Sequence, residues 1–375
     1  MAAAFDTIVV GLGAMGSATA HQLARRGRRV LGLDRWTPPH AFGSSHGQTR
    51  IIREAYFEDP RYVPLVQRAY EAWRELERDA SCPLLLETGG LMIGPPDGVL
   101  VAGARRSADQ HHLRHEMLTA AEIRARFPAL APDDDMVAVW EPRAGVLFPE
   151  ACVAAQLAMA RRHGATLQCD EPVLRWQPSG DGVRVVTARG AYEAASLVLT
   201  AGSWTRSLLP DLVLPLTVAR QTLYWFTPQR NAGAFAPERC PIHLWEHARG
   251  RYIYGFPDLG EGVKAARHHE GTIADPDTID REVRAEEVDA MRAMVARYLP
   301  DAAGALRWAA VCMYTNTPDE HFLVAPHPTH AQVLIASPCS GHGFKFAPVV
   351  GEALADLATQ GRSSIDLSLF GWRFT

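Results

Sequence analysis

No sign of charge dominates this sequence: 38 Lys and Arg stand against 42 Asp and Glu, a formal net charge of -4. That balance argues against bulk electrostatic binding to nucleic acid. No apolar run is long enough to span a bilayer, so no membrane partner is expected. The six cysteines, Cys82, Cys152, Cys169, Cys240, Cys312 and Cys339, form no C-x-x-C pair. Neither a zinc site nor a disulfide framework is expected, and reduced thiols fit a cytoplasmic protein. His111, His112 and His115 lack a spaced acid or cysteine to complete a metal cluster. Asp133-Asp134-Asp135 reads as an exposed acidic turn, so no metal is expected. Internal repeats and low-complexity segments are missing too. The first apolar strand starts at Thr7, so no signal peptide is expected. Trp372-Arg373-Phe374-Thr375 is not a peroxisomal address.

What is present is an ordinary globular composition, 47% hydrophobic and 21% charged. At 375 residues the chain is long for one domain, and two are expected. The organising stretch is Thr7 to Asp34. Thr7 to Val10 is a β-branched apolar run that suits a buried strand. Gly11, Gly13 and Gly16 follow in G-x-G-x-x-G spacing. Ala14, Met15, Ala18, Ala20 and Leu23 favour a helix, which Gly27 ends. Val30 to Leu33 is a second strand that stops at Asp34. Gly11 permits the tight turn, Gly13 lets backbone approach a pyrophosphate, and Gly16 lets helix pack on strand. The helix N-terminus offers free N–H groups to phosphate, and Asp34 is placed to accept a ribose hydroxyl. The motif serves NAD and FAD alike.

After Asp34 and Arg35, Pro38-Pro39 opens a loop. Gly43-x-Ser45-x-Gly47 matches the hydrolase nucleophile elbow in form, but that motif needs a strand before it and a helix after. The stretch is read instead as a polar loop beneath a cofactor, with Arg50 and Arg53 aimed inward. Taken alone, the two arginines read as surface residues. Tyr62 to Ala80 is an amphipathic helix with its apolar residues at helical spacing. Leu84 to Ile93 reads as a hairpin turning near Gly89-Gly90. Cys152 to His163 is a helix followed by a strand at Ala165 to Cys169. Val183 to Val186 and Leu197 to Thr200 are further strands, the latter running into the small turn Ala201-Gly202. Leu216 to Phe226 and Tyr252 to Phe256 are strands of an antiparallel sheet. Arg281 to Leu299 is a helix ended by Pro300. Val333 to Ala336 is a buried strand that leads through Ser340-Gly341-His342-Gly343-Phe344-Lys345 into a helix at Ala347 to Thr359. A helix start with a lysine beside it is a good anion site.

Taken together, these motifs resemble the monomeric sarcosine oxidase family of FAD-dependent amine oxidases, which includes N-methyltryptophan oxidase. The resemblance spans nearly the whole chain. It rests on G-L-G-A-M-G at Gly11, S-S-H-G-Q-T-R-I-I-R ending at Arg53, and Y-G-F-P at Tyr254. Further along come Lys264 before His268, C-M-Y-T at Cys312, D-E-H-F at Asp319 and S-G-H-G-F-K-F at Ser340. The chain departs from the family pattern at Gln48, where an acid is usual, at Leu244 or Trp245 in the pocket, and at Pro338-Cys339. These departures bear on the choice of substrate, not on the reaction class.

The resemblance implies an α/β (α+β) fold: a Rossmann-like FAD-binding domain plus a substrate domain with a mixed, largely antiparallel sheet. The FAD-binding domain is expected to be discontinuous, at 1–83, 146–215 and 320–375, and the substrate domain at 84–145 and 216–319. FAD is the implied cofactor, bonded covalently through Cys312. The implied contacts to it are Gly11, Gly13, Ala14, Met15, Gly16, Asp34 and Arg35, then Ser44, Ser45, Thr49 and Arg50 of the polar loop. Ala201, Gly202 and Trp204 follow, then Met313 beside Cys312, and lastly Gly341, His342, Gly343, Phe344 and Lys345. Arg53 and Lys345 are the implied carboxylate grip, with Tyr314, Leu244 and Trp245 around the substrate. Lys264 is implied to hold a water near flavin N5 and activate oxygen, while Tyr254, His268, His46 and Arg50 complete the catalytic set. The implied function is oxidation of a carboxylate-bearing secondary amine by hydride transfer. The imine hydrolyses to aldehyde and amine, and oxygen is reduced to peroxide by what is expected to be a monomer. Two alternatives stand beside it: a flavin dehydrogenase using another electron acceptor, and a nicotinamide-binding protein without catalysis.

Overall fold

The structure is a computed structural model, and it describes residues 5–337 and 339–374. Pro338 and Thr375, both cited above, lie outside the described residues. Six strands lie side by side in one sheet in the order Val173–Ser179, Gly182–Thr187, Ala191–Leu199, Phe5–Val10, Val30–Leu33, Thr166–Gln168. Phe5–Val10 runs parallel to both its neighbours. Its last four residues are buried, as a central strand covered on both faces requires. Val333–Ser337 joins Ala191–Leu199 in parallel, and Leu323–Pro326 pairs with it antiparallel. Helix Ala14–Arg25 packs against helices Pro149–Arg162 and Ala347–Gln360. A Cβ at Gly351 would lie 2.6 Å from the backbone of Ala18, so the first and last helices touch main chain to main chain.

A second, largely antiparallel sheet runs Thr272–Ile273, Thr217–Phe226, Val263–His268, Arg251–Phe256, Ile242–Ala248, Gly90–Gly94, Val137–Glu141, Glu116–Thr119. The long strand Leu306–Asn316 also pairs with Thr217–Phe226. One pair within this sheet, Ile242–Ala248 with Gly90–Gly94, is parallel. A small sheet of Arg50–Ile52, Gly145–Leu147 and Leu85–Glu87 completes the strands. Parallel and antiparallel sheets in one chain make the fold a mixed α/β one, as the family resemblance implies. No helix among the described residues is long and apolar enough to cross a membrane.

Three expectations need correction. Leu84 to Ile93 is not a hairpin, because Leu85–Glu87 and Gly90–Gly94 belong to different sheets. Gly89 still turns the chain, with φ of 72°, and a Cβ there would also sit 1.8 Å from the Trp140 ring. The helix expected from Arg281 begins only at Ala285. Arg281 itself reaches out to the carbonyls of Ala41 and Phe42. Strand Val173–Ser179, an edge strand carrying Pro178, is absent from the sequence reading, and an edge is where proline is tolerated.

Candidate active site

A cavity of about 580 Å³ runs from the first glycine turn to the inner face of the second sheet. At one end stands Gly11, with φ of 88°, in a conformation that side chains rarely adopt. Its missing side chain also lets Thr200 approach, since a Cβ would lie 2.6 Å from the Thr200 carbonyl. A Cβ on Gly16 would lie 1.7 Å from the Gly11 carbonyl, so Gly16 serves helix-to-strand packing and does not line the cavity. Gly13 is different: a Cβ there would meet only the Ser45 hydroxyl, at 3.6 Å, and the residue faces open cavity. Helix Ala14–Arg25 starts beside it with no side-chain cap at Gly13. Ala14 N–H reaches Ser45 Oγ at 3.2 Å. Asp34 is buried and accepts the Leu12 N–H at 2.6 Å and the Trp36 N–H at 2.9 Å. Those bonds fix the carboxylate at the end of its strand while it still lines the cavity.

Open cavity at a helix N-terminus that has no cap from Gly13, followed by a fixed carboxylate, fits a dinucleotide. Ala201 and Gly202 lie opposite, at the end of strand Ala191–Leu199. Arg35 and Trp204 close the rim through a shared partner: Asp277 accepts from Arg35 Nη1 at 2.5 Å and from Trp204 Nε1 at 3.0 Å.

The middle of the cavity is lined by Ser44, Arg50, Cys312 and Met313. The Arg50 guanidinium donates to the carbonyls of Thr49 and Ser44, both at 2.7 Å, and lies 3.7 Å from Cys312 Sγ. No helix follows Ser45, so a nucleophile elbow is not built. His46 is buried, and its Nε2 has no partner. Burial, with Arg50 next in importance, pulls its pKa down to about 3 and keeps it neutral.

At the far end the structure brings Arg53 and Lys345 together. The Arg53 guanidinium lies 4.4 Å from the centre of the Tyr56 ring, and Lys345 Nζ 5.2 Å from it. Both cations are buried. Burial, aided by repulsion from Arg53, lowers the Lys345 pKa to about 7. Burial is the largest single influence on Arg53 and works against its charge, but Glu58 through charge and hydrogen bonds, with Tyr56 and Glu141, together outweigh it and hold the guanidinium ionised. His268 Nδ1 stands 3.1 Å from Tyr314 Oη, and burial keeps the imidazole neutral. Tyr254 stays protonated, its pKa raised by burial to about 12. Gly341, at φ of 75°, gives Tyr314 room: a Cβ would lie 2.4 Å from that ring. His342, Gly343, Phe344 and Cys339 line the same end.

Leu244 and Tyr254 face each other in register across paired strands, and both line the cavity. Trp245, the next residue, points the other way. It stacks on Tyr298 with ring centroids 4.7 Å apart and donates to His243 Nδ1 at 2.8 Å. Strand alternation therefore removes Trp245 from the pocket. Lys264 and Thr49 also lie off the main cavity. They line a second space of about 230 Å³ that Phe256 separates from the first. Lys264 Nζ donates to Gly47 O at 2.7 Å, Thr49 Oγ1 at 2.8 Å and Thr49 O at 3.0 Å.

Sequence reasoning missed two residues. Glu58 accepts a forked pair of bonds from Arg53 Nη2, at 2.8 and 2.7 Å. Burial raises its pKa, but Arg53, His342 and Lys345 outweigh that and the carboxylate stays ionised. Tyr56 places its hydroxyl 2.5 Å from His342 Nδ1 and its ring against both cations. Both residues sit in a loop without periodicity, and the only signal was their closeness to Arg53.

A family model described as FAD dependent oxidoreductase matches residues 6–357. The chain is 50% identical over 374 residues to a monomeric sarcosine oxidase of Streptomyces avermitilis, covering 99% of this chain and 97% of the relative. It is 35% identical over 368 residues to an N-methyl-L-tryptophan oxidase of Salmonella arizonae, covering 98% of each. Among solved structures, NikD, an unusual amino acid oxidase essential for nikkomycin biosynthesis, superposes with a TM-score of 0.86 at 27% identity, over 98% of this chain and 97% of that one. An L-proline dehydrogenase from P. horikoshii shares the fold alone, with a TM-score of 0.86 at 20% identity, over 99% and 97%. With these matches along its whole length, and with a glycine turn, fixed acid and long cavity that suit the cofactor, the chain belongs to the FAD-dependent oxidoreductases, among the monomeric sarcosine and N-methyltryptophan oxidases.

Proposed function

We propose that this protein is a FAD-dependent oxidase of secondary amines that carry a carboxylate: sarcosine, or another N-methyl or cyclic amino acid. The observation that carries this reading is the pair of buried cations, Arg53 and Lys345, at the end of the cavity away from the glycine turn. A substrate carboxylate between them forms charge-assisted bonds worth about 1.5–3 kcal/mol each. That grip orients the amine toward the middle of the cavity, where the reaction takes place. Two nearby cations also disfavour the ammonium form, so the bound amine loses its proton and presents a lone pair. His268 and Tyr254 stay neutral and add no competing charge. FAD, when bound, takes up the hydride and delivers the electrons to oxygen. Cys312, in the cavity wall beside Arg50, is the proposed point of covalent attachment. Lys264 is proposed to serve the oxygen step from the second cavity.

We assign the cofactor domain to 1–83, 146–215 and 320–375 and the substrate domain to 84–145 and 216–319. The first sheet draws its strands from the former set, and the second sheet from the latter. Six free cysteines are consistent with a cytoplasmic protein, and a monomer is the assembly proposed. With Trp245 turned away and Leu244 in the wall, cyclic or aromatic amino acids are proposed as substrates beside sarcosine. A peroxide assay across sarcosine, N-methyltryptophan, proline, pipecolate and amines without a carboxylate tests the reading. Carboxylate-bearing substrates should be preferred. The reading fails if simple amines outperform all four.

A further inference from the structure

We infer that Glu150 is a positioning residue for Lys264, acting through the backbone of the 47–49 loop. This rests on the proposed role of Lys264 in the oxygen step. The loop holds its shape against local preference, because Gly47 has φ of 94° and the non-glycine Gln48 has φ of 66°. A non-glycine residue in that region is strained and persists only when its surroundings enforce it. Glu150 supplies the enforcement: its Oε1 accepts the N–H of Gly47 at 2.7 Å and of Gln48 at 3.1 Å. The carboxylate projects from the first turn of helix Pro149–Arg162, the favourable end for a negative charge. That helix is anchored by packing against Ala14–Arg25.

The two sets of bonds meet on one peptide unit. The 47–48 peptide accepts Lys264 Nζ on its carbonyl and gives its N–H to Glu150. An amine donor and a carboxylate thus clamp one amide dipole from opposite ends, and each bond strengthens the other. The other titratable or charged groups facing Lys264 are Arg50 and Cys312 on the cavity side, the buried His46, and Glu261 in the second cavity. Burial and Arg50 lower the Lys264 pKa, and the Glu150 charge opposes them.

The test compares reoxidation of the reduced holoenzyme by oxygen in Lys264→Met, Glu150→Ala, Glu150→Gln and Glu150→Ala/Lys264→Met. Glu150→Ala should slow reoxidation about ten-fold or more, the scale typical of an outer supporting group. Glu150→Gln keeps an oxygen acceptor and should fall between it and wild type. The double variant should be no slower than Lys264→Met, since Glu150 acts through the lysine. Binding of a plain carboxylate should stay unchanged in both Glu150 variants. A second readout is the side-chain 15N resonance of Lys264 in the resting holoenzyme, assigned by its loss in Lys264→Met. It should shift or broaden in Glu150→Ala. Wild-type reoxidation in Glu150→Ala, an additive double variant, or an unmoved 15N signal would each overturn the proposal. If Lys264→Met itself reoxidises at the wild-type rate, the oxygen role of Lys264 fails, and the 15N signal alone decides whether Glu150 holds the amine.

Discussion

Lys345 makes ligand binding depend on pH in a direction that can be worked out. In the free protein its pKa is lowered from 10.5 to about 7 by burial and by Arg53. Only the charged form grips a carboxylate, so a bound carboxylate raises that pKa, and binding takes up a proton when pH exceeds about 7. For a carboxylate ligand that lacks an amine, affinity should be flat below about pH 7. It should fall by up to about ten-fold per unit above it. Titrations from about pH 6 to 9, with calorimetry in two buffers to count the proton, check this. A flat profile would remove Lys345 from the grip. Glu58 gives a second prediction. Its forked bonds occupy the Arg53 guanidinium, so a substrate carboxylate must compete with it. Glu58→Gln should tighten carboxylate binding while lowering stability by up to about 3 kcal/mol, because a buried guanidinium loses its counter-charge. Denaturant melts and ligand titration on the same variant separate the two effects. For Cys312, Cys312→Ala should release flavin into the supernatant on acid precipitation while the wild-type pellet stays yellow.

Among the elements, the glycine turn separates two kinds of requirement that one motif conceals. Gly16→Ala places a methyl group 1.7 Å from the Gly11 carbonyl. The usual gain of up to about 1 kcal/mol for Ala over Gly inside a helix is reversed there. That variant should lose several degrees in Tm. Gly13→Ala meets only a hydroxyl at 3.6 Å, so its fold should survive. Its flavin content per chain should fall instead, because the methyl group enters the space meant for the cofactor. Absorbance ratios and thermal melts on the two purified variants distinguish these outcomes.

How much could be read from the sequence follows the same division. Helix Tyr62–Ala80 agrees at both ends because its apolar residues fall on one face. The glycine turn was readable because backbone conformation and close approach each demand glycine. Gly89 does turn the chain, at φ of 72°, but a turn glycine does not say whether the strands on either side pair with each other, and here they join different sheets. Trp245 and Leu244 were indistinguishable because strand phase is set by pairing with Tyr254 and Ile253 across the sheet. Glu58 and Glu150 were out of reach because their roles depend on loop geometry that no period records.

Across the whole molecule, the cavity is assembled from distant parts of the chain. The walls around Cys312 join the 44–50 loop to strand Leu306–Asn316, and the far end joins Arg53 to Lys345. The central strand Phe5–Val10 finds one neighbour at Val30–Leu33 and the other at Ala191–Leu199. Ala191–Leu199 in turn pairs with Val333–Ser337, and the first helix closes against Ala347–Gln360. During synthesis, then, the nucleotide turn emerges first but has nothing to close on. Domains form as their contacts become available, and chains reach the ribosomal exit at about 5–20 residues per second. Helix Ala347–Gln360 emerges after every other element it packs with. Cofactor capture should therefore wait until Val333–Ser337 and Ala347–Gln360 have left the ribosome. A chain cut before Val333 should hold no flavin, however much of the glycine turn it retains. Ribosome-stalled chains of increasing length, scored for flavin fluorescence, would show the signal appearing late and in a single step.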